Sequence, residues 1–419
     1  MPVLDLAAWL ERLEQLHPSA IDLGLERCGE VAQRLELLET TATTITVAGT
    51  NGKGSTVAVM EAVLCATGNC VGAFTSPHLI RYNERIRVDG REVSDELIVE
   101  AFEAIEQARA AISLTYFEFN TLAALWIFKK LDVAYQLLEV GLGGRLDAVN
   151  IIDADVAVVT AVGLDHQEWL GNDVESIAVE KCGIARNGRQ CIISDATAPS
   201  SVFTELQRVG AHEVLALRDY SYDETHFYGS ECGSIAWSLP AGLISLNAAA
   251  GLRALEAAGV AIDDNVVAMA MGSLILTGRR ECQRLGNIEL VLDVAHNPDA
   301  AMELRNFLDL RPLERRTIAI FAVMSDKDCR DMISAVEDVI DEWYLPAGIG
   351  GSRGQSPEMI AGFISTTAHV GPTFEAAFEG ALESLECGGR LIIFGSFFTV
   401  GEGMKALESK RLSRLGDQS

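Results

Sequence analysis

Ile45-Thr-Val-Ala-Gly-Thr-Asn-Gly-Lys-Gly-Ser-Thr56 reads as a β-strand that runs into a glycine-rich turn and then a helix. Gly49, Gly52 and Gly54 let the backbone turn sharply and bring its N–H groups up to anionic oxygens, while the helix behind them points its positive end at the same place. Lys53 adds a point charge for β- and γ-phosphates, and Ser55 or Thr56 adds a hydroxyl for Mg²⁺. A Walker loop has four residues between its first Gly and its Gly-Lys pair. Here only Thr50 and Asn51 stand there, so the loop is a shortened variant. The competing reading is a plain strand-turn-helix with a solvated lysine. An apolar strand, three glycines, a lysine and two hydroxyls together weigh against it.

Outward from this stretch, strand-like runs alternate with amphipathic helical runs, the pattern of a mostly parallel sheet covered on both faces. Val57, Met60 and Leu64 recur at helical spacing and are expected to face that sheet. Further buried strands are expected at Ala134-Tyr-Gln-Leu-Leu-Glu-Val140, Val156-Ala-Val-Val-Thr160 and Gln190-Cys-Ile-Ile-Ser194. Residues 197–240 have weaker periodicity and read as an antiparallel or irregular annex. The polar stretch Leu276-Thr-Gly-Arg-Arg-Glu281 then breaks the pattern. New strands follow at Ile288-Glu-Leu-Val-Leu-Asp-Val294, Thr317-Ile-Ala-Ile-Phe-Ala322 and Arg390-Leu-Ile-Ile-Phe-Gly395. The expected fold class is α/β. An N-terminal P-loop-type, mostly parallel sheet flanked by helices spans 1–280, and a smaller Rossmann-like domain without G-x-G-x-x-G spans 281–419.

A length of 419 residues favours two domains, and 49% hydrophobic residues supply ample core. No apolar run approaches the roughly 18 residues that span a bilayer. The start, Met1-Pro-Val-Leu-Asp-Leu, lacks a basic segment followed by an apolar one, so a cytoplasmic protein without membrane attachment is expected. Nine cysteines without a C-x-x-C pair read as reduced, buried thiols. The 33 basic residues against 60 acidic ones give a net charge of −27, which argues against a nucleic-acid partner. That field repels anionic substrates at long range, so an anion site has to rely on local groups such as Arg81, Arg85 and Arg87.

Ligands of open α/β sheets sit beyond the carboxyl ends of the strands. Glu139 ends an apolar strand and precedes Gly-Leu-Gly-Gly-Arg-Leu-Asp147, where a carboxylate can hold Mg²⁺ opposite Ser55. His166, in Gly163-Leu-Asp-His-Gln-Glu-Trp-Leu-Gly171, reads as a metal ligand, a base or a structural histidine. Ser76, in Thr75-Ser-Pro-His-Leu79, sits in a turn set by Pro77. In the second domain Asp293 can bind a ribose hydroxyl, while His296 and Asn297 face a substrate or form an Asx turn that caps the next helix. Arg279 reads as an arginine finger for the γ-phosphate or as a solvated linker residue.

Taken in order, these segments resemble the dihydrofolate synthase/folylpolyglutamate synthase family of the Mur ligase superfamily. The likeness begins at Ile21-Asp-Leu-Gly-Leu-Glu-Arg27 and runs through the glycine-rich loop, Thr75 to Leu79, Leu138 to Asp147 and Leu164-Asp-His166. It continues through Glu180-Lys-Cys-Gly-Ile184, Gly278-Arg279 and Asp293 to Pro298, and ends at Gly395-Ser-Phe397. The resemblance implies an ATP-dependent ligase that joins L-glutamate to dihydropteroate and to reduced folates through an acyl phosphate. It implies that Thr50, Asn51, Gly52, Lys53, Gly54 and Ser55 hold ATP phosphates, with Asn247, Arg279 and Asp293 as further ATP contacts. Ser55, Ser76, Glu139 and His166 would hold Mg²⁺, two ions in all, and Lys181 would carry a carbamate derived from CO₂. The pterin would lie against Asp22, Leu23 and Gly24, against Thr115, Tyr116, Phe117 and Glu118, and against Leu146, Asp147 and Ala148. Lys53, His166, Lys181 and Arg279 would be the catalytic set, and the chain is expected to act as a monomer.

Three positions depart from the family pattern: Thr277 for a proline, Val149 for a threonine and Phe398 for a histidine. The alternatives are a synthase limited to polyglutamylation or another Mur-type amino-acid ligase. The latter usually carries an extra N-terminal domain, for which a loop beginning at Gly49 leaves no room. A binding protein without turnover is expected to lose Lys53, Glu139 or His166, and all three are present.

Overall fold

The structure, a computed structural model, describes residues 4–19, 21–385 and 388–416. It divides into two compact units, residues 1–240 with 244–274 and residues 241–243 with 275–419. The division at 274/275 precedes the 280/281 boundary expected from the polar stretch. The turn at 278–280 is bonded into the second unit, where Val294 N donates to Gly278 O (2.8 Å) and Arg280 N to Asp293 Oδ2 (2.9 Å).

The first unit is built on eight strands: β1 (Thr43–Ala48), β2 (Val71–Phe74), β3 (Ile86–Val88), β4 (Arg91–Glu92), β5 (Tyr135–Glu139), β6 (Val156–Val159), β7 (Gln190–Ile193) and β8 (His212–Leu215). Their order is β4-β3-β2-β5-β1-β6-β7-β8, parallel from β2 through β8 with an antiparallel β3-β4 edge. Ile45, Val47, Leu137, Leu138, Val158 and Val159 are wholly buried, as central strands covered on both faces require. Register places Val47 beside Glu139 on one side and Val158 on the other. The glycine-rich loop, the Glu139 loop and the loop after β6 therefore leave the sheet at one common end.

Val57, Met60 and Leu64 of the helix Lys53–Ala66 are fully buried, as their spacing predicts. No residue of this helix is fully exposed, because the helices Ser245–Ala257 and Asp264–Ser273 pack on it from the side away from the sheet, leaving a partly exposed strip at Ala58, Ala62, Cys65 and Ala66. Gly251 permits the approach, since a Cβ there would stand 3.1 Å from Val59 Cγ1.

Residues 197–240 are only in part an annex. The helix Ser200–Val209 and β8 continue the main parallel sheet, and only β9 (Ser221–Tyr222), β10 (His226–Tyr228) and β11 (Ser234–Ala236) form a separate antiparallel sheet. β8 is a short edge strand whose His212 and Glu213 break the apolar run, so its sequence carries little strand signal.

The second unit holds six strands in the order β12-β13-β17-β14-β15-β16. β12 (Glu281–Leu285) is antiparallel to β13 (Ile288–Asp293), and β14 (Thr317–Phe321), β15 (Glu342–Pro346), β16 (Thr367–Gly371) and β17 (Gly389–Phe394) pair in parallel. The core gathers Trp343, Phe321 and Phe394, with ring centroids 4.7–6.0 Å apart. Eight cysteines lie in the described residues and all are free thiols, while Cys387 lies outside them, as does the Met1-Pro-Val start. Among the described residues no helix is long and apolar enough to cross a membrane.

Candidate active site

Two glycines shape the loop between β1 and its helix, not three. A Cβ on Gly49 would lie 1.7 Å from Thr160 Oγ1, so only glycine lets the end of β1 pass the neighbouring strand. Gly52 caps the helix with φ 93°, and its Cβ would lie 2.3 Å from Asn247 Oδ1. Gly54 is inside the first helical turn and is not among the residues with positive φ. Thr50 is held by the loop after β6: its N donates to Ala161 O (2.8 Å), and its hydroxyl donates to Gly163 O and accepts from Gly163 N (both 3.0 Å). Hydroxyl and N–H are both spent on the fold, so Thr50 shapes the loop and the anion is left to the N–H groups that follow it.

The Lys53 ammonium is wrapped by its own loop, donating to Gly49 O (2.9 Å) and Thr50 O (3.1 Å). Of the two hydroxyls behind it, Thr56 Oγ1 donates to Asn247 O (3.4 Å), which leaves Ser55 as the candidate metal hydroxyl. Asn247 is buried against Gly52, and its side-chain Oδ1 has no hydrogen-bond partner among the described residues.

Glu139 is buried at the end of β5 and accepts from Ser76 N (3.1 Å), which joins two of the residues expected at the metal. The expected arginine anion site is not formed. Arg87 is paired with Glu61 (2.7 Å) and braces Thr75 Oγ1 (3.0 Å) and Glu84 O (2.9 Å). Arg85 is buried, donates to His78 Nδ1 (2.7 Å) and lies over the Tyr116 ring. Burial and the Arg85 charge hold the His78 imidazole down at about 4. Arg81 is exposed, 3.6 Å from Glu92. Arg85 and Arg87 thus have internal partners and Arg81 a surface one, while Lys53 stands on the loop itself with Lys181 near enough to feel its charge.

Lys181 is not a helix-surface lysine. It lies near the end of the helix Val174–Cys182, only 4% exposed, and its amine is pushed down to about 7 by burial and then by the Lys53 ammonium, against the pull of Asp165 and Asp147. Asp147 is itself buried, accepting from Leu142 N (2.8 Å) and Val149 N (3.0 Å), and burial pushes its carboxyl up to about 7. Asp165 is a participant that motif reading did not single out. It accepts from His166 N (2.8 Å), and its place beside His166 at a strand end was its one sequence signal. His166 adopts φ 50°, caps the short helix Gln167–Leu170 and keeps Nε2 3.8 Å from Asp165 Oδ2.

Gly144 and Gly183 allow the loop after β5 to lie directly on the helix that carries Lys181. A Cβ on Gly144 would stand 2.7 Å from Glu180 O and 2.8 Å from Lys181 O, and one on Gly183 2.5 Å from Arg145 Cα. Gly144→Ala therefore has to push backbone from backbone, and we expect a loss of about 2–4 kcal/mol in stability, read by urea denaturation. A variant within 0.5 kcal/mol of the parent would show that the close approach is dispensable.

The segments expected at the pterin do meet. Arg27 joins two of them, paired with Asp22 Oδ2 (2.8 Å) while donating to Asp22 O (2.8 Å) and Glu118 Oε1 (3.1 Å). Thr115 and Glu118 form a capping box at the start of the helix Tyr116–Lys130, with Thr115 N to Glu118 Oε2 at 2.7 Å and Glu118 N to Thr115 Oγ1 at 3.2 Å. The Phe117 ring covers Gly141, whose Cβ would lie 2.6 Å from it, so the 115–118 segment touches the loop that leads to Leu146, Asp147 and Ala148. Gly24 lies beside Glu26, and Leu23 is partly buried. Val149 is wholly buried, so the methyl that replaces a hydroxyl there packs into the core.

In the second unit Asp293 is buried and accepts from Arg280 N (2.9 Å) and Ala295 N (2.6 Å), with burial raising its carboxyl. The Asx reading of Asn297 holds: it caps the helix Pro298–Asp309 through Ala300 N (2.9 Å). Arg279 and His296 both lie 6.0 Å from the Phe397 ring, and Phe398 beside it is exposed.

Residues 278–397 match the family described as Mur ligase, glutamate ligase domain. The dihydrofolate synthase/folylpolyglutamate synthase of Escherichia coli K12 is 40% identical over 97% of this chain and 96% of its own length. The chain belongs to the dihydrofolate synthase/folylpolyglutamate synthase family. A solved structure of E. coli FolC in complex with DHPP and ADP has a TM-score of 0.93 at 39% identity, covering 97% of this chain and 99% of that one. A bifunctional folylpolyglutamate synthase/dihydrofolate synthase with Mn, AMPPNP and L-glutamate bound has a TM-score of 0.90 at 38% identity, covering 97% and 98%. Family membership accounts for the two α/β units.

Proposed function

We propose that the chain joins L-glutamate to dihydropteroate, giving dihydrofolate, and to reduced folates, giving polyglutamates, in an ATP-dependent reaction. The observation that carries this reading is a charge group at the carboxyl end of a parallel sheet, with half-buried Lys53 on a glycine-shaped loop and Lys181, Asp165 and Asp147 buried beside it. Ligands bound to its relatives support the substrate classes: DHPP with ADP in one, and AMPPNP, Mn and L-glutamate in another.

An oxygen of the substrate carboxylate attacks the γ-phosphorus of ATP, the bond to the ADP oxygen breaks, and an acyl phosphate forms. The neutral amine of glutamate then attacks the acyl carbon; the amide bond forms, phosphate leaves, and the amine gives up a proton. Lys53 and the N–H groups of residues 51–55 neutralise the transferring phosphoryl group, and Thr50 holds the start of the loop in place. Asn247 offers its buried Oδ1 beside the loop, and Arg279 and Asp293 are the further residues assigned to ATP. The pterin lies among Asp22–Gly24, 115–118 and 146–148, and Arg27 and Asp147 hold these segments in place.

Among the described residues no three His, Cys, Asp or Glu side chains gather into a metal cage. This sparse donor set suits Mg²⁺, which keeps waters and takes one or two carboxylates plus substrate phosphates. Ser55, Ser76, Glu139 and His166 are the residues that would hold it, and bound there it would neutralise phosphate charge. Lys181, whose amine burial pushes down to about 7, is suited to take up CO₂ as a carbamate. We further take the chain to work as a cytoplasmic monomer, where free thiols stay reduced.

The test is phosphate release with Mg-ATP and L-glutamate, comparing dihydropteroate, tetrahydrofolate and no pterin. Release with both pterins is expected. Release with tetrahydrofolate alone would leave only polyglutamylation, and release with neither would point to another Mur-type ligase.

A further inference from the structure

Arg280 follows the residue assigned to ATP and is itself in no motif, yet the turn around it is among the most constrained places in the second unit. It takes φ 49°, a conformation that non-glycine side chains hold only where their surroundings over-determine it. It is also nearly buried, at 9% exposure. The surroundings do over-determine it. Nε and Nη2 both donate to Gly242 O (3.1 and 2.8 Å), Nη1 lies 3.7 Å from Glu303 Oε2, and the backbone N donates to Asp293 Oδ2 (2.9 Å). Gly242 is built to receive this fork: its φ is 89°, and a Cβ there would stand 2.3 Å from Arg279 O and 3.1 Å from Arg280 Cβ. On the other side of the turn Val294 N donates to Gly278 O (2.8 Å), and Ala295 N holds the second oxygen of Asp293 (2.6 Å).

A forked guanidinium on one carbonyl thus fixes two neighbours at once. It presses Gly242 against the Arg279 carbonyl, which sets where the Arg279 side chain departs toward Phe397, and it places the backbone N–H that orients Asp293. Gly242 also lies just ahead of the helix Ser245–Ala257, which carries Asn247.

We propose that Arg280 is a positioning residue for nucleotide binding, acting through Gly242, Arg279 and Asp293 without touching the nucleotide. This rests on the ATP roles given to Arg279 and Asp293 above. A lysine cannot reproduce the two-donor fork, and a glycine keeps the left-handed turn while removing the clamp.

The experiment compares the parent with Arg280→Gly and Arg280→Lys, measuring steady-state KM for ATP and for L-glutamate, ADP binding by calorimetry, and thermal melting. The expected result for Arg280→Gly is a rise of about tenfold in KM for ATP and in the ADP Kd, with KM for glutamate within twofold. Arg280→Lys is expected to fall between it and the parent. It reads the same effect if the glycine variant loses its melting transition. ATP and ADP constants within twofold of the parent in the variants that fold would overturn the proposal, as would equal rises in both KM values. A parent protein that binds no ADP would instead overturn the ATP-site reading on which the proposal stands.

Discussion

Lys53→Ala is expected to lower kcat for ATP-dependent phosphate release by about 10²–10³-fold, or about 3–4 kcal/mol of transition-state stabilisation. The side chain is held over the loop by Gly49 O and Thr50 O, and its ammonium also repels Lys181. Truncation removes the cation next to the transferring phosphoryl group while leaving Gly49 and Gly52, which set the loop's shape, untouched. The loss should therefore fall on kcat more than on melting temperature. Steady-state kinetics beside a melting curve separate the two, and activity within a few-fold of the parent would show that the loop does not bind the γ-phosphate.

The second large effect concerns Lys181, and its sign depends on pH. The folded-state amine is pushed down to about 7, below the unfolded value of about 10.4. Between these values the unfolded chain binds the proton and the folded one does not. Stability without CO₂ therefore rises with pH across that window and is lowest below pH 7. Lys181→Met removes the buried titratable group. It should raise the melting temperature at pH 6, and that advantage should shrink steadily above pH 7 and vanish only as pH passes the unfolded value of about 10.4, a difference of up to a few kcal/mol. Parallel melting curves for parent and variant across this range would mean that Lys181 is charged in the fold.

Activity should move the other way. A neutral amine attacks CO₂, loses a proton and becomes a carbamate anion, which turns repulsion from Lys53 into attraction. Lys181→Ala should lose most activity and regain part of it with a short carboxylic acid such as acetate or propionate. Failure of every such acid would remove the carbamate from the reading.

Local chemistry made much of the site legible. The strand-turn-helix at 45–56 needs only neighbours in sequence, as do the Thr115-Glu118 capping box and the Asn297 cap, although the first of these boxes was read as substrate contact alone. Glu139 and His166 were visible because ligand residues follow strand ends. Arg87 misled for the converse reason: its partner Glu61 lies 26 residues away, and a charge count cannot tell a free cation from a neutralised one. Asp165 was passed over because a single carboxylate next to a histidine has no pattern of its own.

By itself, then, the sequence determined the glycine-rich strand-turn-helix, the alternation that makes two parallel-sheet units, and the family, because these depend on residue types at fixed short spacings. Only the tertiary structure decided which glycine matters and why. Gly49, Gly52 and Gly144 are required by Thr160, Asn247 and the Lys181 backbone, all far away along the chain. It also decided that Lys181 is a buried amine and not a surface cation, since a pKa near 7 follows from desolvation and the nearness of Lys53, and neither exists until the helix Val174–Cys182 packs behind the loop.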